Sequence, residues 1–210
     1  MRRVLPFFLL APLAASSVLV GCTSSTTYAA MVNGSEISRS SLNQELSDIS
    51  RNHLFVQAVD QQPGSSGSIE GAGAGTYSKA FVAQVLTQRI EYELIHQELT
   101  RRNALPGETE LQQAETQVVQ RYTVQDPGDV FHQFSSDYQR TLVQRQAEVT
   151  ALENAVPGQQ AVNDLFTKLI QDASIKVSPE FGSFDKKGNP SNNSGPSVIP
   201  PPVPNPPIAG

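Results

Sequence analysis

The chain has 210 residues and carries 15 Lys and Arg against 20 Asp and Glu, a formal net charge of −5 that excludes the basic face a nucleic-acid binder needs. Its single cysteine excludes a disulfide framework within one molecule, and the absence of tryptophan with only 7% aromatic residues speaks against a stacking surface for sugars or bases. The length suits one domain of ordinary size plus terminal segments.

Arg2 and Arg3 precede a run from Val4 to Val20 that is apolar apart from Pro6, Pro12, Ser16 and Ser17. That is the charged start and apolar core of a secretory signal, and it is short of the roughly 20 apolar residues needed to span a bilayer. The run closes on Leu19-Val20-Gly21-Cys22, which resembles the lipobox that bacterial lipoprotein signal peptidase cuts just before the cysteine. The resemblance implies a signal peptide over residues 1–21 and a diacylglycerol on the thiol of Cys22. The expected location is extracytoplasmic, with the protein tethered to the bacterial envelope membrane by lipid. Loss of Arg2 and Arg3 would bring the charge to about −7. Residues 22–27 read as a polar spacer with no acidic retention signal behind the cysteine.

Residues 28–185 look foldable and mainly helical. Tyr28-Ala29-Ala30-Met31-Val32 reads as a short strand leading into the turn signal Asn33-Gly34, followed by Ser35-Glu36-Ile37. From Ser38, an expected N-cap, the residues Leu42, Leu46, Ile49, Leu54 or Phe55, and Val59 predict a first amphipathic helix that stops at Gln62-Pro63-Gly64. The Gly- and Ser-rich stretch 60–76 reads as a flexible insertion.

A second helix is predicted from about Ser78 to Asn103, with Val82, Val85, Leu86, Ile90, Leu94, Ile95 and Leu99 on one broad face. A third follows Leu105-Pro106-Gly107 and carries Leu111, Ala114, Val118 and Val119. A fourth, after Asp126-Pro127-Gly128, shows Phe131, Phe134, Tyr138, Leu142, Val149 and Leu152, and ends at Pro157-Gly158. The fifth runs from about Gln159 to Asp172 and should bury Val162, Leu165, Phe166, Leu169 and Ile170.

Ala173-Ser174-Ile175-Lys176-Val177 reads as a second strand. Isolated strands are unstable, so the fold class expected is about five helices closed by a small two-stranded pairing of the two ends of the domain. Residues 186–210 turn to Asn, Ser, Gly and Pro and read as a disordered tail with polyproline II character.

The stretch Ala30-Met31-Val32-Asn33-Gly34-Ser35-Glu36-Ile37-Ser38, with a helix beginning near Leu42, is similar to the opening of the SurA N-terminal domain family of envelope chaperones. Gln88-Arg89-Ile90-Glu91-Tyr92-Glu93-Leu94-Ile95-His96-Gln97-Glu98-Leu99, then a helix after Leu105-Pro106-Gly107, resembles that family's second and third helices. Ile175-Lys176-Val177-Ser178-Pro179-Glu180-Phe181-Gly182-Ser183-Phe184-Asp185 resembles the returning strand of SurA and PrsA relatives. Many relatives place a parvulin-type prolyl isomerase domain before that strand. Here the interval from Tyr122 to Ala173 is filled by two helical stripes, so no isomerase activity is expected.

No other chemistry stands out. His53, His96 and His132 are far apart in the chain and read as surface or boundary residues. Neither a His-Glu-x-x-His helix, a Gly-x-Ser-x-Gly elbow nor a phosphate loop is present, and Gly71-Ala72-Gly73-Ala74-Gly75 lacks the strand and spacing of a nucleotide fingerprint. Glu91, Glu93 and Glu98 read as a solvated helix face. No catalytic, cofactor or metal residue is expected, which leaves Cys22 as the one assigned site.

The resemblance implies a lipid-anchored holdase for unfolded or newly exported polypeptides, with contact residues such as Phe55, Tyr77, Phe81 and Tyr122 that a small core cannot cover. The alternative is an envelope adaptor or scaffold that docks on one specific partner.

Overall fold

A computed structural model of the chain describes residues 27–60, 69–71, 73, 75–123, 129–156, 158–184 and 190–191. The signal-like segment 1–21, Cys22 with the spacer up to 26, and the tail apart from 190–191 lie outside the described residues.

The polypeptide opens with a hairpin of β1 (Tyr28–Val32) and β2 (Ser35–Ser38). Asn33 and Gly34 both take positive φ, 52° and 91°. That is the demand of a two-residue type I′ turn, which Asn-Gly meets at least cost. The other side of β1 pairs antiparallel with β3 (Ile175–Val177), giving a three-stranded sheet in the order β2-β1-β3. The turn is also fastened to the returning chain. Asn33 donates its N–H to the Ser174 carbonyl at 2.9 Å, and its Oδ1 accepts the Ser174 N–H at 2.8 Å. The expected two-stranded pairing of the ends is therefore part of a larger sheet, because the tight turn brings Ser35–Ser38 back as a third strand. A further small pairing joins β4 (Ser183–Phe184) and β5 (Pro190–Ser191).

Among the described residues six helices follow where about five were expected. The first amphipathic stretch divides at Asn52 into α1 (Arg39–Arg51) and α2 (His53–Asp60). Asn52 is fully buried, its amide donates to the Val130 carbonyl at 2.7 Å, and its Oδ1 accepts the Phe55 N–H at 3.0 Å. A side chain that satisfies a distant carbonyl and opens a new helical turn competes with continuation of the old one. Ser38 caps α1 as expected, accepting the Ser41 N–H at 3.1 Å.

α3 (Lys79–Arg102) starts on Ser78, which accepts the Phe81 N–H, and ends on Asn103 in the left-handed conformation. α4 spans Glu108–Thr123. Phe131 belongs to a single 3₁₀ turn (Phe131–Gln133), not to the helix proper. Phe134 is extended, and Ser135 caps α5 (Ser136–Ala155) by accepting the Tyr138 N–H. α6 covers Gln159–Asp172, with Ile170 buried and Val162, Leu165, Phe166 and Leu169 half-buried.

The main core joins the underside of the sheet (Ala30, Val32, Ile37) to α1 (Leu42, Leu46, Ile49) and α3 (Val85, Leu86, Ile90, Leu94). Each of these valine, leucine and isoleucine side chains contributes about 1.5–3 kcal/mol on burial. A smaller cluster of Ile95, Leu99 and Leu152 continues along α3 toward α6. Within the 60–76 connection, Ile69 is buried in the main core, and Glu70 forms an antiparallel bridge with Tyr77. None of the described helices is long and apolar enough to cross a membrane.

Candidate functional site

Three helices carry a charged residue inside an apolar stripe. Glu45 lies between Leu42, Leu46 and Ile49 on α1; Arg89 lies between Val85, Leu86 and Ile90 on α3; Arg145 falls between Leu142 and Val149 on α5. Such positions face the interior, where a charge is tolerated only when paired. The three meet. Glu45, 5% exposed, accepts from Arg145 Nη1 and Nη2 at 2.5 and 2.9 Å and from Arg89 Nη1 at 3.2 Å. Arg89 also donates to Ser41 Oγ at 2.9 Å, and the Arg145 guanidinium lies 4.8 Å from the centre of the Tyr92 ring.

The environment acts on these groups unequally. Burial opposes the charge on Arg145, yet the charge and hydrogen bonds of Glu45 outweigh it and hold its pKa above the ordinary value. Burial dominates at Arg89 and lowers its pKa, with Glu45 offsetting only part. Tyr138, buried alongside, is pushed well up by burial and then by the Glu45 charge.

Above this ionic cluster opens a cleft of about 620 Å³. Its floor is one face of α3, where Arg89, Tyr92, Glu93 and His96 recur at three- and four-residue steps. One wall is the matching face of α5, from Asp137 and Arg140 through Gln144 and Arg145 to Glu148, and the other is Glu36 and Ile37 of β2. The lining groups hold one another. His96 Nδ1 lies 2.8 Å from Glu148 Oε1, Gln144 donates to the same oxygen at 2.8 Å, and Arg140 pairs with Asp137. Gln97, at the edge of the floor, donates to Glu93 Oε1 at 2.8 Å.

A second hollow of about 570 Å³ lies between α3 and α6, lined by Leu94, Leu165 and Leu169 with Arg101, Arg102 and Lys168 among its polar groups. Here Glu98 accepts from Arg101 at 2.7 and 2.8 Å and from Arg102 at 2.6 Å. The hydrogen bond from Arg101, working against burial and joined by that from Arg102, holds its carboxyl down at about 2.

Of the residues singled out in the sequence, Cys22 lies outside the described residues. His53 and His132 are exposed, His132 beside Asp129 at 2.6 Å, and the His96 side chain is half in solvent. The three are not brought together. Glu98 is buried and doubly paired rather than solvated, and Glu91 is half-buried, with its carboxyl raised by burial to about 7.

Of the four expected client contacts one is buried and three keep part of their surface in solvent. Phe81 is buried, Phe55 and Tyr122 pack half-buried with Phe134 in an aromatic cluster, and half-buried Tyr77 lies tilted against Phe81. Phe131 of the 3₁₀ turn and Phe134 just after it are the aromatic partners that partly bury Phe55 and Tyr122. Leu105 is the one large hydrophobic exposed among the described residues. Among the same residues no three His, Cys, Asp or Glu side chains converge as a metal site.

Compared with known proteins, the chain matches no family model, no curated protein and no solved structure.

Proposed function

We propose that this is a non-catalytic polypeptide-binding lipoprotein of the bacterial envelope, held to the membrane by lipid on Cys22, that docks a selected partner through the cleft between β2, α3 and α5. The observation that carries this reading is the cleft itself: about 620 Å³, open, and walled by ionic side chains already fixed by partners. Preorganised polar groups favour a chosen ligand, since an unsuitable one leaves them unpaired on desolvation. The resemblance to SurA N-terminal domains belongs to the same proposal, supported by the order of hairpin, helices and returning strand.

The promiscuous holdase is the second reading. It requires a broad exposed apolar surface; among the described residues Leu105 is the one large hydrophobic that is exposed, with Phe81 buried and Phe55, Tyr77 and Tyr122 half-buried, and this weighs against it.

The test places a photo-crosslinking amino acid at Thr141, in the cleft wall, and at Thr109 on α4 as control, in the native cells. It is combined with light scattering of two unrelated unfolded proteins. One discrete adduct from Thr141, none from Thr109 and no suppression of aggregation are expected. A ladder of adducts with ratio-dependent suppression moves the protein to the holdase class. No adduct from Thr141 in the folded protein rejects the cleft as a docking site.

A further inference from the structure

The cleft has one wall unlike the others. β2 is an edge of the three-stranded sheet, and along its outer side no backbone partner occurs among the described residues. In a two-residue hairpin the residues flanking the turn, Val32 and Ser35, form the hydrogen-bonded pair, and pairing alternates along the strand. Glu36, opposite Met31, therefore directs its N–H and C=O outward, away from β1, and the same residue lines the cleft. An unpaired edge of this kind is a template for another strand.

The dimensions agree. From Asp137 to Glu148 the α5 wall rises about 16 Å at ~1.5 Å per residue, the length of roughly five residues of extended chain at ~3.3 Å each. Charge narrows the choice further. The lining guanidiniums are committed to carboxylates, Arg89 and Arg145 to Glu45 and Arg140 to Asp137. Among the described residues Glu93 and Glu148 receive hydrogen bonds from Gln97, Gln144 and the His96 ring alone, and Glu36 stands exposed at the rim. An entering segment thus meets carboxylates that no guanidinium among the described residues hydrogen-bonds, Glu93 feeling Arg89 only through the longer-range field.

We propose that the cleft takes an extended polypeptide segment of about five residues, with a lysine or arginine near its middle, as an added strand on the outer edge of β2. This rests on the polypeptide-binding reading above and names the form and charge of what is bound. Backbone hydrogen bonds to Glu36 supply the fit of an added strand, and the basic side chain, reaching Glu93 and Glu148, selects the sequence.

The experiment uses the chain from Cys22 onward, which contains every described residue, with Cys22→Ser to keep it in solution. The probe is a fluorescein-labelled, capped hexapeptide of alternating valine and threonine with one central lysine, followed by anisotropy. Comparison peptides replace the lysine by glutamine or N-methylate alternate backbone nitrogens. Glu36→Pro removes the outward N–H at an edge position where proline is tolerated, Glu36→Gln removes only its charge, and circular dichroism checks the fold.

The lysine peptide is expected to bind the parent chain and to lose at least tenfold in affinity on Glu36→Pro, but not on Glu36→Gln. N-methylation, which leaves the protein untouched, should give the same loss. Glu93→Gln should weaken the lysine peptide several-fold and leave the glutamine peptide unchanged. Equal affinity for the N-methylated peptide overturns strand addition while leaving polypeptide binding intact. Indifference to lysine and to Glu93→Gln overturns the charge selection. No binding of any peptide to the folded parent chain overturns the inference as a whole, and an adduct from Thr141 would then still sustain the broader reading.

Discussion

Two carboxylates in this protein each hold two guanidiniums, and they do different work. Glu45 and Glu98 are both 5% exposed. Glu45 draws its arginines from positions 44 and 100 residues away, joining α1, α3 and α5, and those partners are themselves only 20% and 13% exposed. Glu98 takes Arg101 and Arg102 from the next turn of its own helix, with 68% and 31% of those side chains in solvent. The same three groups form a tertiary clamp in one place and local helix decoration in the other. What separates them is how many elements they connect and how far their partners are withdrawn from water.

The sharpest way to break the comparison is to remove each carboxylate. Glu45→Ala strands two nearly buried guanidiniums and should cost about 3–5 kcal/mol in urea unfolding. Glu98→Ala leaves arginines that can turn to solvent, and its cost should be about 1 kcal/mol, discounted for screening. Equal losses would show that connectivity does not matter.

Glu91 sharpens the contrast as a carboxylate on the same helix whose pKa burial raises to about 7. Its folded pKa lies above the unfolded value, so the folded state binds the extra proton between about 4.5 and 7, and stability falls as pH rises through that window. Glu91→Gln should flatten this decline and raise stability at pH 8 by on the order of 1–2 kcal/mol, read from thermal melts at pH 5 and 8. A melting curve of the parent chain that does not change between these pH values removes the effect.

The smallest effect belongs to Glu98 in acid. Its pKa is depressed to about 2, so its contribution is present above about 4.5 and is lost as pH falls toward 2. Glu98→Gln should reduce the acid sensitivity by under about 1 kcal/mol, because Arg101 is largely in water. Added salt should reduce it further.

The helices were readable where a stripe was long and uninterrupted. The faces of α3 and α6, the cap at Ser38 and the Asn33-Gly34 turn all follow from local rules. The division at Asn52 did not, since its reason is the carbonyl of Val130, 78 residues away. The Glu98 cluster was open to view as a glutamate with arginines three and four residues on, but spacing alone does not tell a buried pair from a solvated one. Glu45, Arg89 and Arg145 each left a trace, a charge set within an apolar stripe. Three such traces on three helices imply a meeting point; only the folded chain shows that one carboxylate serves both arginines. The cleft itself was not readable, because it depends on how far α5 stands from β2.

The joining of β1 to β3 also has a mechanical meaning. The strands are antiparallel with Ala30 opposite Val177 and Val32 opposite Ile175, so residue 28 and residue 178 leave the sheet side by side. A load pulling those two points apart peels the ladder one hydrogen bond at a time instead of shearing all of its bonds together. Tension carried between the ends of the domain would therefore find its weakest link at this seam and part it before the helices yield, whereas a force between either end and a helix face would not act along it.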